Sequence, residues 1–375
     1  METIPDMAVR ELRISGYRSL RTMRLGLGSL NVVTGPNGCG KSNLYRAMVL
    51  LAAASRGELA RAFANEGGMP SALWAGPRRK GAVRLKLGVR IDEWDYEIAC
   101  GLPTSDATAF RMDPLVKEES VRYHPNRGRS VAFLERTRPS AWLRDRDGRR
   151  VTYPFEILDA ESALSQIQES HLYPELSYLR NQMSGWRFYH HFRTDEGSPM
   201  RQPQVGFTTP VLSSDGHGLA AALRTIISLG DADDLLTEID AAFPGCSLEI
   251  FEERGRYEVA LRMPGFQRPF EAREHSDGTL RYLCILAALL SFRPATLIAL
   301  NEPETSIHAD LFDALARLIV KASERSQIWV TTHSADLAKA VQDHSDCRLF
   351  RLELRGGETW IAGARDDDDS LDLAE

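Results

Sequence analysis

The sequence lacks any apolar run long enough to cross a membrane. Its longest candidate, Tyr282 to Phe292, is far shorter than the roughly 20 apolar residues that a spanning helix needs. The N-terminal residues carry both signs of charge and no secretory apolar core; the charged ones include Glu2, Asp6, Arg10 and Glu11. We therefore expect neither a membrane partner nor secretion.

Paired cysteines are also missing. The five cysteines are odd in number and scattered, and no two have metal-ligand spacing: Cys39, Cys100, Cys246, Cys284 and Cys347. This usage predicts reduced thiols and a cytoplasmic protein rather than a disulfide framework or a thiolate metal site.

The chain has no overall excess of basic residues, because its formal net charge is −6. It therefore presents no global footprint for nucleic acid. We find no internal repeat and no long heptad segment, which excludes an extended coiled coil. An Asn-Lys-x-Asp motif for reading guanine is absent, which disfavours a GTPase. Hydrophobic residues make up 43% of the 375 residues, which is enough to form one or two buried cores.

A phosphate-binding motif is present near the start. Its eight residues match G-x-x-x-x-G-K-[ST]: Gly35, Pro36, Asn37, Gly38, Cys39, Gly40, Lys41 and Ser42. The preceding run, residues 30–34, is apolar and predicts a buried strand, whereas residues 43–51 have apolar residues at helical spacing. A glycine loop between a strand and a helix predicts backbone N–H groups around phosphates, with Lys41 on the β/γ oxygens and Ser42 on Mg²⁺.

A second set of motifs lies near the other end. Ser276-Asp277-Gly278 precedes an apolar segment and suits the start of a buried helix that faces an anion. Residues 296–300 predict a core strand that ends in Asn301-Glu302. Residues 327–332 predict another strand, which delivers His333 to the same edge of a sheet. In P-loop enzymes such a strand tip holds a carboxylate associated with Mg²⁺ and the residue that positions the attacking water. Together the two sets predict an ATPase.

These residues resemble the ABC-type ATPase heads of the RecF/RecN/SMC group, and small bacterial RecF-like AAA-family ATPases in particular. The segments that carry the resemblance are Leu12 to Leu20, the glycine loop, Ser276 to Arg281, Asn301 to His308 and Thr331 to Ser334, with a weaker likeness at Trp186 to Tyr189 and Ser213 to Gly216. The resemblance implies an α/β fold, a P-loop NTPase of the ABC-ATPase head type with an antiparallel β subdomain and a helical or irregular insertion.

The resemblance also implies roles for single residues. Arg18 would approach the nucleotide, and Ser276 and Gly278 would close over ATP bound to a second subunit. Glu302 would polarise water, and His333 would contact the γ-phosphate. The implied cofactors are ATP and Mg²⁺, and the implied assembly is an ATP-dependent homodimer.

Two features depart from the family pattern. Asn301 stands where the family has Asp, so the proposed Mg²⁺ ligands are Ser42 and an uncharged amide, which predicts weak metal binding and slow turnover. The glutamine that links the lobes of ABC heads is not identifiable; Gln202 and Gln204 are candidates only because they lie between the two halves.

The motifs suggest a division of the chain. Residues 1–103 would form the N-terminal half of the head with the P-loop, and 104–209 an insertion, irregular to about Tyr153 and mostly helical through Met183. Residues 210–363 would form the C-terminal half, with the Ser-Asp-Gly signature, the acidic strand end and the switch histidine. Residues 364–375 would be an acidic, disordered tail.

An arginine-rich segment inside the insertion leaves DNA binding open. Its arginines alternate with aromatic residues that could stack on bases, namely Tyr123, His124 and Trp142. The arginines are Arg122, Arg127, Arg129, Arg136, Arg138, Arg144, Arg146, Arg149 and Arg150. A solvated, salt-bridged surface explains the same pattern equally well.

Three functions are consistent with the sequence. The first is a DNA-associated dimeric ATPase of repair or maintenance. The second is the ATPase subunit of a defence system that controls a separate effector protein. The third is a nucleotide-gated binding module with slow hydrolysis, which Asn301 keeps open.

Overall fold

The structure is a computed structural model that describes residues 8–77, 84–103, 109–125, 128–138 and 140–363. The chain forms two interleaved compact units. One, here the parallel unit, combines Ser29–Thr34 with Arg187–Leu349; the other, the antiparallel unit, contains the described residues of Gly35–Trp186 together with 8–28 and 350–363. These units differ from the division at residues 103, 209 and 363, because a short early strand belongs with the later half of the chain.

Buried parallel strands form the centre of the parallel unit. Numbered along the chain, they are β3 (Leu30–Thr34), β10 (Arg187–Tyr189), β15 (Leu297–Asn301) and β16 (Gln327–Thr331), and they lie in the order β10-β15-β16-β3. Every residue of β15 and β16 is buried. Continuous apolar runs of this kind are typical of strands covered on both faces. The predicted strands at residues 30–34, 296–300 and 327–332 are thus present to within one residue.

Helices pack around these strands. They are α6 (Leu219–Leu229), α7 (Ala232–Ala242), α8 (Asp277–Leu289), α9 (Phe312–Ala322) and α10 (Ala335–His344). Helix α8 is almost wholly buried, since every residue from Leu280 to Leu289 is buried. Helix α9 is amphipathic and buries Leu315, Leu318 and Ile319 on the side that packs into the unit.

Short elements complete the parallel unit. A small antiparallel sheet consists of β11 (Gln204–Val205), β12 (Ser247–Glu253), β13 (Arg256–Arg262) and β14 (Phe270–Glu271), with β13 paired to the other three. Single 3₁₀ turns lie at Pro199–Arg201, Ala272–Glu274 and Ala309–Leu311.

An eight-stranded antiparallel sheet dominates the second unit. Its strands run in the order β2-β1-β4-β5-β6-β7-β8-β9. They are β1 (Val9–Tyr17), β2 (Leu20–Gly26), β4 (Arg84–Ile91), β5 (Trp94–Gly101), β6 (Leu115–Tyr123), β7 (Val131–Thr137), β8 (Ser140–Arg144) and β9 (Arg150–Thr152). The two faces differ in exposure: Leu85, Leu87 and Val89 of β4 are buried, whereas Arg84, Lys86 and Arg90 of the same strand are more exposed.

The sheet extends into the segment that the sequence predicted to be irregular. Strands β6 to β9 lie between residues 115 and 152 and continue the meander. The charged residues there concealed the strand pattern: Glu119 and Arg136 are buried on the inner face, where apolar residues were expected. A buried ion pair breaks the hydrophobic alternation from which strands are predicted.

Helices and one hairpin complete the antiparallel unit. The helices are α1 (Lys41–Arg56), α2 (Leu59–Asn65), α3 (Met69–Ala72), α4 (Ala163–Gln166) and α5 (Pro174–Ser184). The hairpin consists of β17 (Arg348–Arg355), which enters this unit at Phe350, and β18 (Glu358–Ile361). Among the described residues, no helix combines the length and the apolar character needed to span a bilayer.

Candidate nucleotide site

Three adjacent parallel strands end where the motifs begin. Strand β3 pairs with β16, and β16 pairs with β15, in a register that matches Val33 with Thr331 and Thr331 with Asn301. The chain leaves these strands at Gly35, Glu302 and Thr332 respectively. Because the strands are parallel, these exits lie at one edge, the carboxyl edge at which α/β sheets bind ligands.

The glycine loop adopts the backbone that its glycines permit. Gly35, Gly38 and Gly40 have φ of 150°, 79° and 104°, in the region that disfavours residues with a Cβ. A Cβ on Gly35 would lie 2.4 Å from the Leu352 carbonyl oxygen, and one on Gly40 would lie 2.2 Å from the Thr359 hydroxyl. Pro36, Asn37 and Gly38 are exposed at the turn, whereas Cys39 is 1% exposed.

Lys41 places a buried cation inside this loop. It is 4% exposed, and its Nζ donates to the carbonyl oxygens of Gly35 at 2.7 Å and Pro36 at 3.0 Å. Lys41 also begins α1, followed by Ser42, so the ammonium lies at a helix N-terminus with its own partial positive charge. Two positive features in one glycine cradle fit an anion such as the phosphates of ATP.

The turn that carries Arg18 is joined to the loop. Asn43 Nδ2 donates to Ser19 Oγ at 2.9 Å, Ser19 Oγ lies 2.7 Å from Thr359 Oγ1, and Thr359 donates to the Cys39 carbonyl at 2.8 Å. Arg18 has a φ of 48°, and its guanidinium forms an ion pair with Glu66 at 3.0 Å. Its predicted approach to the nucleotide stays a prediction.

The side chain of Asn301, at the end of β15, has one polar atom with a hydrogen-bond partner and one without. Its side-chain Nδ2 lies 2.8 Å from Nδ1 of His190, whereas its Oδ1 is buried and has no hydrogen-bond partner. Buried polar atoms without a partner are rare, and this oxygen is of the kind that coordinates Mg²⁺. His190 follows β10, the strand beside β15, and was not identified from the sequence.

Glu302 occupies a strained position. It has a φ of 51°, which costs a residue with a Cβ about 1–3 kcal/mol. Two contacts hold it there: its N–H donates to the Thr331 carbonyl at 2.7 Å, and Arg281 of α8 donates to its carbonyl oxygen at 2.9 Å. Burial lowers the pKa of Arg281, although the charge of Glu304 acts in the opposite direction. Glu302 is partly exposed, and its role in positioning water stays a prediction.

His333 follows β16 and contacts Glu304. Its Nδ1 lies 3.2 Å from Glu304 Oε1, and its side chain is 50% exposed, against 4% for Glu304. The same oxygen accepts the Thr332 hydroxyl at 2.5 Å and the N–H groups of His333 at 3.0 Å and Ser334 at 3.3 Å.

The Ser-Asp-Gly signature forms the start of α8. Ser276 is exposed and caps the helix, its Oγ accepting from the Thr279 N–H at 3.2 Å. Gly278 permits a close approach, since a Cβ there would lie 2.3 Å from the Ser306 carbonyl oxygen. Arg201 holds the segment from behind: it donates to the carbonyl of His275 and forms a 2.6 Å ion pair with Asp277.

Neither glutamine candidate is identified as a lobe link. Gln204 accepts the Gly218 N–H at 2.9 Å through its side-chain oxygen, and its Nε2 is buried without a hydrogen-bond partner. Gln202 is exposed. The assignment stays a prediction for both.

Most of the insertion's arginines have partners within the antiparallel unit. Arg136 is 3% exposed and donates to the carbonyls of Glu161 and Leu158. Others pair with acids, carbonyls or rings: Arg122 with Glu135, Arg138 with Asp159, Arg144 with Ala132 and Gly148, Arg149 with Asp147, and Arg150 with Trp142. Arg129 and Arg146 are exposed, and Arg127 lies outside the described residues. This pattern favours the salt-bridged interpretation.

Comparisons with known proteins agree with this geometry. Residues 30–338 match the family described as AAA domain, putative AbiEii toxin, Type IV TA system. Comparison with curated proteins found no match. An SMC head bound to the C-winged helix domain of ScpA is similar in fold, with 15% identity, a TM-score of 0.53, and coverage of 97% of this chain and 99% of that one. The SMC head domain from Thermotoga maritima matches at 15% identity and a TM-score of 0.46, covering 96% and 100%. The fold is a mixed α/β P-loop fold of the SMC-head type.

Proposed function

We propose that this chain, which belongs to the AAA-domain family matched above, binds ATP with Mg²⁺ and hydrolyses it to ADP and phosphate. The observation that carries the proposal is the shared edge of β3, β15 and β16, where three strands end at the P-loop, at Asn301-Glu302 and at Thr332-His333. No single motif specifies hydrolysis, but the three together supply a phosphate cradle, a carboxylate and an imidazole.

Each residue of the proposed site has its own role in binding or hydrolysing ATP. The loop N–H groups and Lys41 bind the β- and γ-phosphates. The Ser42 hydroxyl and the Asn301 amide oxygen would hold Mg²⁺, which neutralises charge that develops on the phosphates. Glu302 accepts a hydrogen bond from the attacking water and orients it, and His333 contacts the γ-phosphate. Because Asn301 supplies no negative charge, we expect weak Mg²⁺ binding and slow turnover.

Assembly is proposed to depend on ATP. Ser276 and Gly278 at the start of α8 would act on ATP bound to a second copy of the chain, with the exposed helix N-terminus facing its γ-phosphate. The exposure of Ser276 and the cap at Thr279 support this role. The five free cysteines support the cytoplasm as the setting of this dimer.

Two settings for the ATPase are proposed. A DNA-associated role in repair or maintenance follows the RecF-like resemblance. Among the described arginines from Arg122 to Arg150, only Arg129 and Arg146 lack a partner of the kinds given above. A defence role, in which ATP state controls a separate effector, is favoured by the family description, which includes a toxin of a Type IV system. ATP turnover measured with and without single-stranded and duplex DNA separates them, since only the first predicts stimulation that decreases with salt.

The central test uses Glu302→Gln. The variant should bind ATP, hydrolyse it at least about 100-fold more slowly, and accumulate as a dimer by light scattering with ATP and Mg²⁺. Wild-type protein without nucleotide, and Glu324→Gln at an exposed position on the surface, serve as controls. A Glu302→Gln protein that is saturated with ATP and still monomeric would refute the dimer, and wild-type protein without ATP turnover would refute the enzyme.

A further inference from the structure

A groove lies beside α6 in the parallel unit, and none of its lining residues belongs to the candidate nucleotide site. Its volume is about 410 Å³. The opposite wall from the helix consists of residues 206–208, which follow β11, and Tyr257 of β13. The helix wall is a stripe at the spacing i, i+3, i+4, i+7 and i+8, which places its side chains on one face: Ala221, Arg224, Thr225, Ser228 and Leu229. We call this feature the α6 groove.

The protein's own contacts fix both walls of the α6 groove. The Thr225 hydroxyl accepts the Thr209 N–H at 3.0 Å, which joins the segment after β11 to the helix. The Gly206 N–H donates to the Gly255 carbonyl at 2.9 Å, and a Cβ at Gly206 would overlap the ring of Tyr257. The glycine therefore lets the aromatic ring lie against the backbone. Because both walls are held in this way, the space between them is present without a ligand.

Large apolar side chains are exposed at the rim of the α6 groove. Phe207 is 63% exposed and Leu229 is 53% exposed, and Val205, two residues before Phe207, is 65% exposed. Sites for small molecules bury most of the ligand between their walls. Here the apolar surface that remains to be covered lies at the rim, so an occupant must extend over the rim as well as fill the groove. A segment of a protein meets that requirement better than a small molecule does.

The charge at the groove has one sign. Of the residues that line it, only Arg224 is charged, and Arg224 is also the only charged residue of α6. It is exposed, and within the part of the chain that the structure describes its guanidinium has no hydrogen-bond or ion-pair partner. The same holds for the hydroxyls of Thr208 and Ser228. A guanidinium without a partner beside apolar walls complements an apolar side chain that has a carboxylate next to it.

We propose that the α6 groove docks an acidic segment of a partner protein. A large apolar side chain of that segment fills the groove between Phe207 and Leu229, and a neighbouring carboxylate pairs with Arg224. The docking does not depend on ATP hydrolysis, since the groove and the nucleotide site share no residue.

Matched peptides test the chemistry of the segment by fluorescence anisotropy. The acidic probe, Gly-Ser-Glu-Phe-Leu-Glu-Ser-Gly with fluorescein at its N-terminus, should bind the protein at low salt and more weakly as salt is added. A probe with Lys in place of both Glu should bind at least about 10-fold more weakly, and so should a probe with Ala in place of Phe and Leu. No binding of the acidic probe, or equal affinities for the acidic and basic probes, would overturn the proposal.

Substitutions in the protein locate the binding. Arg224→Gln should lower the affinity for the acidic probe about 3- to 10-fold, and Phe207→Ser should lower it at least about 5-fold. Arg348→Gln removes the same charge from another exposed arginine of the parallel unit, whose guanidinium also lacks a partner among the described residues, and should have no effect. All three side chains are exposed, so the melting temperature should not change. Equal effects of Arg224→Gln and Arg348→Gln would contradict docking at the groove.

Other occupants of the groove would give different results. A second copy of the chain would make wild-type protein sediment as a dimer without nucleotide and Phe207→Ser as a monomer. A small amphiphilic carboxylate would be indicated if phenylbutyrate displaced the acidic probe at concentrations no higher than the unlabelled peptide requires. Either result would overturn the proposal.

Failure of this proposal and failure of the proposed ATPase are distinguishable. Lys41→Ala protein should bind the acidic probe as wild-type protein does, because Lys41 does not line the groove. Wild-type protein without ATP turnover would refute the ATPase and leave the docking result unchanged.

Discussion

The strand tip of the parallel unit and the arginine-rich strands of the antiparallel unit differ in whether their buried polar atoms have hydrogen-bond partners. At the strand tip, Asn301 Oδ1, Glu304 Oε2 and Arg281 Nε are buried without hydrogen-bond partners, and Glu302 has a strained backbone. In the described residues between 115 and 152, no buried side-chain nitrogen or oxygen lacks a partner. Unsatisfied groups and strain are costly, and they concentrate where a ligand is to be bound.

The two regions therefore use their polar groups differently. The tip carries groups that its own fold does not satisfy, which is expected of a site completed by ATP and a metal. The segment between residues 115 and 152 carries more charged residues, but most of its described arginines pair within the antiparallel unit. The number of charged residues in a segment therefore predicts its function less well than whether those residues have hydrogen-bond or ion-pair partners within the fold.

The sharpest test of this contrast is Arg136→Ala in the insertion. Arg136 lies 3.7 Å from Glu119, whose side chain is inaccessible to solvent, and also donates to two carbonyls. Its loss should lower the free energy of unfolding by about 3–5 kcal/mol in urea, because a buried charge loses its partner. Arg138→Ala, which removes a partly exposed pair with Asp159, should cost less than about 1 kcal/mol. Similar losses for both would remove the structural explanation for the arginines.

Lys41→Ala tests the other side of the comparison. Removing the cation from the loop should raise the ATP dissociation constant at least about 100-fold, because charge-assisted bonds to phosphate are lost. The melting temperature without nucleotide should change little, since the ammonium has only carbonyl partners in the fold. Lys339→Ala, at an exposed position on α10, is the control. Normal ATP affinity in folded Lys41→Ala protein would contradict the P-loop assignment.

Gly278→Ala tests how closely the signature approaches the strand tip. The new Cβ would meet the Ser306 carbonyl at 2.3 Å, so the backbone must shift, at a cost of about 1–3 kcal/mol. We expect a lower melting temperature together with a reduced kcat. Gly26→Ala, where nothing lies within 4 Å of the added Cβ, should leave both unchanged. Equal behaviour of the two variants would mean that the close approach has no consequence.

Asn301→Asp should give the smallest effect and the most specific one. A carboxylate binds a hard cation better than an amide, so the Mg²⁺ concentration for half-maximal turnover should fall by about 3- to 10-fold. Glu302→Gln should reduce turnover at every Mg²⁺ concentration. Should Asn301→Asp leave the metal dependence unchanged while Glu302→Gln shifts it, the metal ligand is Glu302 and the roles assigned at the tip are reversed.

The sequence predicted the elements whose signals are local. The strands before Gly35, Glu302 and Thr332 were predicted because each is a short apolar run that ends in a recognisable motif. The strands between residues 115 and 152 were missed because the buried pair of Arg136 and Glu119 interrupts hydrophobic alternation. A charge that is satisfied by a distant partner has the same sequence signal as a charge in solvent.

Contacts between distant residues could not be predicted at all. His190 and Asn301 are 111 residues apart, and the Glu304 carboxylate meets a segment 28 to 30 residues later. Each motif was therefore identified, but the hydrogen bonds from residues 332–334 to Glu304 were not. The sequence offered one signal for His190, namely its position. It directly follows β10, the strand that pairs with β15, and β15 ends at Asn301-Glu302.

The contact between Thr359 and the Cys39 carbonyl has a consequence for synthesis of the chain. The two residues are 320 positions apart, and the hairpin that holds Thr359 also supplies the Leu352 carbonyl behind Gly35. At about 5–20 residues per second, a ribosome needs about 15–60 s after making the glycine loop to add the hairpin residues that contact it. During that interval the nascent protein carries the glycine loop without its Thr359 and Leu352 contacts, and truncation before Thr359 removes the Thr359 contact permanently.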